Sequence, residues 1–314
     1  MKRDLLRLTD LTREEIGWLL RATARLKEER KKGIAHPHLA GKSLGMIFYK
    51  SSTRTRVSFE VGMVQLGGHP VVLDGRQLQM NRGETVGDTA KIFSRYLDAL
   101  VIRTYAQDEV EELAREASIP VINALTDMYH PCQILTDIFT IAEKRGSLDG
   151  VKVAYIGDGN NVTHSWLLGS AILGLNLAVA TPTGYEPDAG VVDTALGIAR
   201  GSGAKIELGN DPAAAASGAD VIYTDTWISM GQDEEAAARR KAFHGYCVDE
   251  ALVARAKKDA LVMHCLPAHR GEEISAGVMD GPRSVVWDEA ENRLHTQKAI
   301  LLFLLRPGAR ELYS

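Results

Sequence analysis

The sequence predicts an α/β protein of two doubly wound parallel-sheet domains joined by a bridging helix, with the C-terminal helix packing back on the first domain. Three observations carry this reading. From about residue 44, short apolar β-branched runs alternate with amphipathic helical stretches, the pattern of strands and crossover helices in parallel sheets. The alternation stops at Gly146-Ser147-Leu148-Asp149-Gly150 and begins again at Val151. At 314 residues the chain is also long for a single core, so two domains are the default.

Taken in order, Thr12-Arg13-Glu14-Glu15 has capping-box spacing, and Ile16, Leu19, Leu20 and Leu26 give the following helix one apolar side. The basic run 27–32 is its solvated end. Strands are predicted at 46–49, 70–73, 99–103 and 120–123, with helices at 54–66, 88–97 and 109–117. In the first of these helices Val57, Phe59, Val61, Met63, Val64 and Leu66 fall near helical spacing, and Gly67-Gly68 stops the pattern. A long helix at 131–144, with Ile134, Ile138, Ile141 and Ala142 on its buried side, bridges the halves. The second half predicts strands at 151–156, 177–180, 205–208, 221–224 and 261–264, a helix from 162 and a short one at 213–216. A last apolar helix at 296–305 has no sheet element after it and packs back. The expected domains are 1–145 with about 293–314, and 146–292, with a ligand cleft between them.

The balance of 37 basic and 41 acidic residues, net −4, argues against a nucleic-acid footprint or a polybasic membrane patch. Partners are therefore expected to be small molecules or copies of the same chain. Three cysteines form no even framework, Met1-Lys2-Arg3-Asp4 leads into no apolar signal core, and 299–305 is too short to span a bilayer. A cytoplasmic location is expected.

In open α/β sheets ligands collect beyond the carboxyl ends of strands, and the notable polar residues fall there. Tyr49-Lys50-Ser51-Ser52-Thr53-Arg54-Thr55-Arg56 places hydroxyls and guanidiniums at a helix N-terminus, where unpartnered N–H groups and the macrodipole favour a phosphate-like anion. A plain capped helix with solvated arginines is the competing reading. Arg103 closes an apolar strand, although a strand-end arginine can simply reach water. His130-Pro131-Cys132-Gln133 opens the bridging helix, with Pro131 suited to its first turn. Gln79 lies in a polar loop that reads, unaided, as surface.

In the second half, Gly157-Asp158-Gly159-Asn160-Asn161 follows a strand and precedes a helix, so small residues allow close ligand approach and Asn161 offers a donor and an acceptor. A dinucleotide fingerprint is incomplete there: Val162 occupies the third glycine position, and no acid ends the next strand. Asp225 leaves the strand Val221-Ile222-Tyr223 and places a carboxylate where a substrate ammonium would suit it, with an Asx-turn as the alternative. His264, Cys265 and His269 suggest a metal trio, but neighbours on a strand point oppositely and a fourth ligand is missing. Arg293 stands at the start of the last helix, where ordinary surface charge is the alternative.

Together these motifs resemble the ornithine branch of the aspartate and ornithine carbamoyltransferase family from one end of the chain to the other. The resemblance implies a carbamoyl phosphate site of Ser52, Thr53, Arg54, Thr55, Gln79, Arg103, His130, Pro131, Cys132, Gln133, Cys265, Leu266 and Arg293. It implies an ornithine site of Asn161, Asp225, Ser229 and Met230. Arg103, His130, Cys265 and Thr55 would be the catalytic groups, and no cofactor or metal would be needed. The implied reaction carbamoylates the δ-amine of L-ornithine to give L-citrulline and phosphate, within arginine metabolism. Arg82-Gly83, in place of the phosphate-contacting lysine of aspartate carbamoyltransferases, fits the ornithine branch. Family members are usually homotrimers, sometimes assembled further. The rival readings are a nicotinamide-dependent oxidoreductase, a non-catalytic anion sensor, and sister transferases acting on N-acetylornithine, N-succinylornithine or putrescine.

Overall fold

The computed structural model describes residues 2–229 and 231–313, and within it the chain separates into two compact units. The first comprises the residues up to Phe139 together with those from Glu291; the second is Thr140–Ala290. No helix among the described residues is long and apolar enough to cross a membrane.

The first unit begins with helix α1 (Arg13–Lys31), whose predicted capping box is formed: Thr12 Oγ1 accepts from the Glu15 N–H and the Glu15 carboxylate from the Thr12 N–H. Four parallel strands follow, β1 (Ser43–Phe48), β2 (His69–Asp74), β3 (Ala99–Arg103) and β4 (Val121–Leu125), in the order β2-β1-β3-β4. Helices α2 (Thr53–Gln65), α3 (Val86–Tyr96) and α4 (Gln107–Glu116) are the crossovers. Residue 79, expected in an open loop, instead begins the short 3-10 turn Gln79–Arg82. The chain order reverses between β1 and β3, which pair directly, with Phe48 opposite Arg103. That reversal is the topological switch point, so the loops after β1 and β3 are where this sheet offers a ligand site.

The helices expected at 54–66 and 131–144 are both formed, but their apolar residues are buried differently from a single apolar side. Phe59 and Met63 on α2 and Leu66 just after it are buried, but Val57, Val61 and Val64 are 51%, 38% and 59% exposed. The spacing marked two apolar stripes, and only one faces the unit's core. Helix α5 (Pro131–Arg145) is buried all round from Pro131 to Ile141, while Ala142 is only half-buried.

The second unit repeats the plan with β5 (Lys152–Ile156), α6 (Asn161–Leu173), β6 (Asn176–Ala180), α7 (Ala189–Ser202), β7 (Ile206–Gly209), α8 (Pro212–Ala216) and β8 (Val221–Thr224). Helices α9 (Ala236–Ala242) and α10 (Glu250–Val253), strand β9 (Leu261–His264) and helix α11 (Ala276–Met279) complete it. The parallel order is β7-β6-β5-β8-β9, so its switch point lies between β5 and β8, with Ile156 opposite Thr224. The last long helix, α12 (Val286–Leu305), starts ten residues before the expected position, and α13 (Ala309–Leu312) follows. Arg293 therefore lies well inside a helix rather than at its start.

Candidate active site

In the first unit the switch-point loops carry the anion-binding set. Ser52 has extended backbone and caps α2, its Oγ accepting from the Thr55 N–H at 3.3 Å. Thr53 is exposed, Ser52 and Arg54 are half-buried, and Thr55 is buried. The guanidinium of Arg293, 4% exposed, donates through Nη2 to Thr55 Oγ1 at 2.7 Å and through Nη1 to Gln133 Oε1. Gln133 in turn donates to Asp137 Oδ1 at 2.7 Å. The Arg293 Nε is buried without a hydrogen-bond partner among the described residues, so its N–H is left for a further acceptor.

His130 is buried at the start of α5, and burial first, then the charges of Arg293 and Arg103, hold its pKa well below the ordinary imidazole range. It stays neutral beside two fixed cations. Cys132 behaves differently from a reactive thiol: its Sγ donates to the Asn123 carbonyl at 3.4 Å, and burial pushes its pKa up to about 12. Its side chain packs, whatever its backbone does. Pro131 is buried in the first turn, and Gln79 is exposed at its 3-10 turn. Lys50, whose ammonium lies 4.2 Å over the Tyr105 ring and pairs with Asp127, was not singled out from the sequence. It links the loops after β1, β3 and β4, and only its place in the hydroxyl-rich run hinted at a role.

In the second unit Asp225 is buried just beyond β8. Its Oδ1 accepts from the Thr226 N–H at 2.8 Å and from Cys265 Sγ at 3.0 Å, and its Oδ2 accepts from Asn160 Nδ2 at 2.8 Å. Asn160, the neighbour of the expected Asn161, is thus bonded to the carboxylate. Its Oδ1 caps α6 by accepting from the Val162 N–H at 2.9 Å and the Thr163 N–H at 3.3 Å. Those N–H groups are the ones a pyrophosphate would need, which argues against the dinucleotide reading. Asn161 is half-buried in the first turn of α6. Ser229 is half-buried, with its N–H given to Gln232 Oε1 at 2.9 Å, and Met230 lies outside the described residues.

Gly159 also differs from expectation. A Cβ there would lie 2.4 Å from Glu186 C and Pro187 N, so the glycine serves loop-on-loop packing rather than ligand approach. Beyond β9, Leu266 holds a left-handed backbone, φ +60, and donates its N–H to His264 Nδ1 at 2.9 Å. The His264 Nε2 faces Glu273 Oε1 at 3.1 Å. Both ring nitrogens are thus engaged, and although ligand atoms of Asp225, His264 and Cys265 lie within 4.8 Å of one another, the imidazole has no lone pair left for a metal.

Chemically, the first unit offers guanidiniums, a neutral imidazole and a helix N-terminus to an anion, while the second offers a buried carboxylate and a thiol to a cation or amine. Comparison with known proteins agrees with this division. Residues 3–143 match the family model described as "Aspartate/ornithine carbamoyltransferase, carbamoyl-P binding domain", and residues 149–304 match the one described as "Aspartate/ornithine carbamoyltransferase, Asp/Orn binding domain". The chain is 56% identical over 303 residues to an ornithine carbamoyltransferase of Oceanobacillus iheyensis, covering 96% of this chain and 94% of the relative. A solved ornithine carbamoyltransferase from Pyrococcus furiosus superposes with a TM-score of 0.94 at 54% identity, covering 97% of each chain. The anabolic ornithine carbamoyltransferase of Campylobacter jejuni does so with a TM-score of 0.91 at 42% identity, over 96% of this chain and 98% of that one.

Proposed function

This chain belongs to the aspartate/ornithine carbamoyltransferase family, and from that footing we propose that it transfers the carbamoyl group of carbamoyl phosphate to the δ-amine of L-ornithine, giving L-citrulline and phosphate. The observation that carries the choice of amino acid is Asp225. A buried carboxylate already shared by an amide, a backbone N–H and a thiol suits an α-ammonium, and it would repel the second carboxylate of aspartate.

In this reading Ser52, Thr53, Arg54, Thr55, Gln79, Arg103 and Arg293 receive the phosphate with the α2 N-terminus. Arg103, Thr55 and neutral His130 supply donors to the carbonyl oxygen, whose charge grows as the tetrahedral intermediate forms. His130 is supported in that role by its environment, since burial and then the charges of Arg293 and Arg103 oppose its protonation. The backbones of Pro131, Cys132, Gln133 and of Cys265-Leu266 are assigned to the carbamoyl end. Asn161, Asp225, Ser229 and Met230 hold ornithine.

The δ-amine must lose its proton first, because an alkyl amine has a pKa of roughly 10 and only its lone pair attacks. Its nitrogen then bonds to the carbamoyl carbon, the carbonyl electrons move to oxygen and return, the carbon–oxygen bond to phosphate breaks, and the second proton on the attacking nitrogen passes to the leaving phosphate. Atoms and charge balance without a cofactor. Cys265 donates to the Asp225 carboxylate at 3.0 Å, which supports a role for it in orienting the amine.

We further propose that copies assemble as homotrimers or larger assemblies of trimers, for which the exposed stripe Val57, Val61 and Val64 offers an apolar surface, and that the protein works in the cytoplasm in arginine metabolism. The deciding experiment is citrulline formation from carbamoyl phosphate with ornithine, run beside aspartate, N-acetylornithine and putrescine. Turnover with ornithine alone is expected. Preference for a different amine would refute the reading of Asp225, and native mass measurement tests the assembly.

A further inference from the structure

Arg239 takes no part in the chemistry above, yet its side chain is 4% exposed and every arm of its guanidinium is engaged. Nε donates to the Trp227 carbonyl at 2.5 Å, Nη2 to the Asp158 carboxylate, and Nη1 to Glu235 Oε2 at 3.4 Å. Its Cζ lies 4.8 Å from the centroid of the Tyr185 ring and 5.5 Å from that of Phe243. One planar group therefore touches the loops that follow three adjacent strands: Asp158 after β5, Tyr185 after β6 and Trp227 after β8.

Both polar anchors lead to Asp225 by short stretches of chain. Asp158 is followed by Gly159, whose N–H donates to the Tyr185 carbonyl at 2.9 Å, and by Asn160, whose amide holds Asp225 Oδ2 at 2.8 Å. From the other side, Trp227 is two residues beyond Asp225, and the intervening Thr226 N–H holds Oδ1. We propose that Arg239 is a positioning residue for the amino-acid substrate: by locking Asp158 and the Trp227 carbonyl together it fixes the Asn160 amide and the Asp225 carboxylate that the α-ammonium meets. The inference rests on the reading of Asp225 as the ammonium-binding group.

The guanidinium is needed for its shape as well as its charge. A planar fork donates in two directions while its face packs on aromatic rings; a lysine ammonium at the end of a flexible stem would serve one anchor at a time. The pair is also proton-linked. Burial, opposed by Arg239 and reinforced by the charge of Asp225, pushes the Asp158 carboxyl up to about 6. The titratable groups around the pair are Asp225 and Tyr155 beside Asp158 and, beside the guanidinium, Glu235 and Tyr185. Above that pH the carboxylate is ionised and the contact is complete; as pH falls through about 6 it protonates and the ion pair is lost.

The test compares full-length wild type with R239M, R239K and D158N, reading KM for ornithine, kcat, calorimetric binding of carbamoyl phosphate, and thermal stability. R239M is expected to raise KM for ornithine on the order of 10- to 100-fold, the equivalent of one lost charge-assisted hydrogen bond, with carbamoyl phosphate binding unchanged. R239K should recover part of the loss. Wild-type affinity for ornithine should fall as pH drops through about 6, and D158N should show a raised KM with that dependence flattened. A folded R239M with wild-type KM for ornithine, or one whose only defect is kcat reduced in step with its folded fraction, overturns the proposal. Should R239M fail to fold, R239K and the D158N pH profile decide the matter. Wild type that makes no citrulline would instead refute the substrate reading itself.

Discussion

Replacing Asp225 by Asn tests the site where its geometry is most constrained. The carboxylate accepts three bonds, from Thr226 N–H and Cys265 Sγ on Oδ1 and from Asn160 Nδ2 on Oδ2. An amide has one oxygen, so in either orientation its NH2 meets a donor: the Asn160 amide in one, the Thr226 N–H and the thiol in the other. Asn160 cannot turn to accommodate it, because its own oxygen caps α6 at Val162 and Thr163. A lost bond with an unsatisfied donor costs about 1–3 kcal/mol, and losing the charge-assisted contact to a substrate ammonium costs about 1.5–3 kcal/mol more. Together these predict a loss on the order of 100- to 10,000-fold in kcat/KM for ornithine.

The two contributions separate with 5-aminovalerate, which keeps the amine and the carboxylate but lacks the α-ammonium. Only the reorganisation term should remain, so D225N should discriminate between the two substrates on the order of 10- to 100-fold less than wild type does. The assay is carbamoylation of each amine at saturating carbamoyl phosphate, with calorimetric binding of carbamoyl phosphate as the control. Equal losses for both amines would refute the assignment of Asp225 to the α-ammonium. Weakened carbamoyl phosphate binding would refute the assignment of Asp225 to the amino-acid site at all.

Other substitutions probe the remaining parts. C265S should alter KM for ornithine and the pH profile of turnover while carbamoyl phosphate binds as before; loss of that binding in calorimetry would move the thiol to the other substrate. R293M removes a cation that holds the His130 pKa down, so the acid limb of kcat should shift upward toward the ordinary imidazole range, and kcat/KM for carbamoyl phosphate should fall on the order of 100-fold; an unmoved acid limb would disconnect the two residues. G159A drives a Cβ to 2.4 Å from the backbone of Glu186 and Pro187, a contact no rotamer relieves, and should lower the urea midpoint by the equivalent of about 1–3 kcal/mol; an unchanged midpoint would show that the loop yields freely.

How much of this was legible in the sequence depended on the range of the interaction involved. The Thr12–Glu15 capping box and the Ser52 cap act across three residues, so local pattern was enough. Arg103 and Asp225 could be placed at strand ends because β3 and β8 are nearly continuous apolar runs. Arg239 lies in Ala236–Ala242, a stretch without any motif that drew a sequence expectation, and it is paired with Asp158, 81 residues earlier in the chain. Arg293 is held by Gln133 and Thr55, 160 and 238 residues away, and its charged surroundings concealed the first half of α12. The α2 valines fail for a related reason: periodicity reports an apolar stripe without saying which neighbour covers it.

Strand order explains how a partial reading could gather one candidate site in each unit. The sequence shows which residues leave strand ends but not which strands are neighbours. In each unit the two strands whose loops carry the chief ligands, β1 with β3 and β5 with β8, are the pair flanking the switch point. At a switch point successive crossovers lie on opposite faces of the sheet, so the loops diverge and leave the strand ends open to a ligand. Residues far apart in sequence are thereby gathered by topology alone. What topology leaves unspecified is orientation, and that falls to buried groups such as Arg293, Asn160 and Arg239, each bonded to a neighbouring loop or ligand-bearing side chain. These are the residues whose environments are set by distant contacts, and therefore the ones that a reading of local pattern passes over or misplaces.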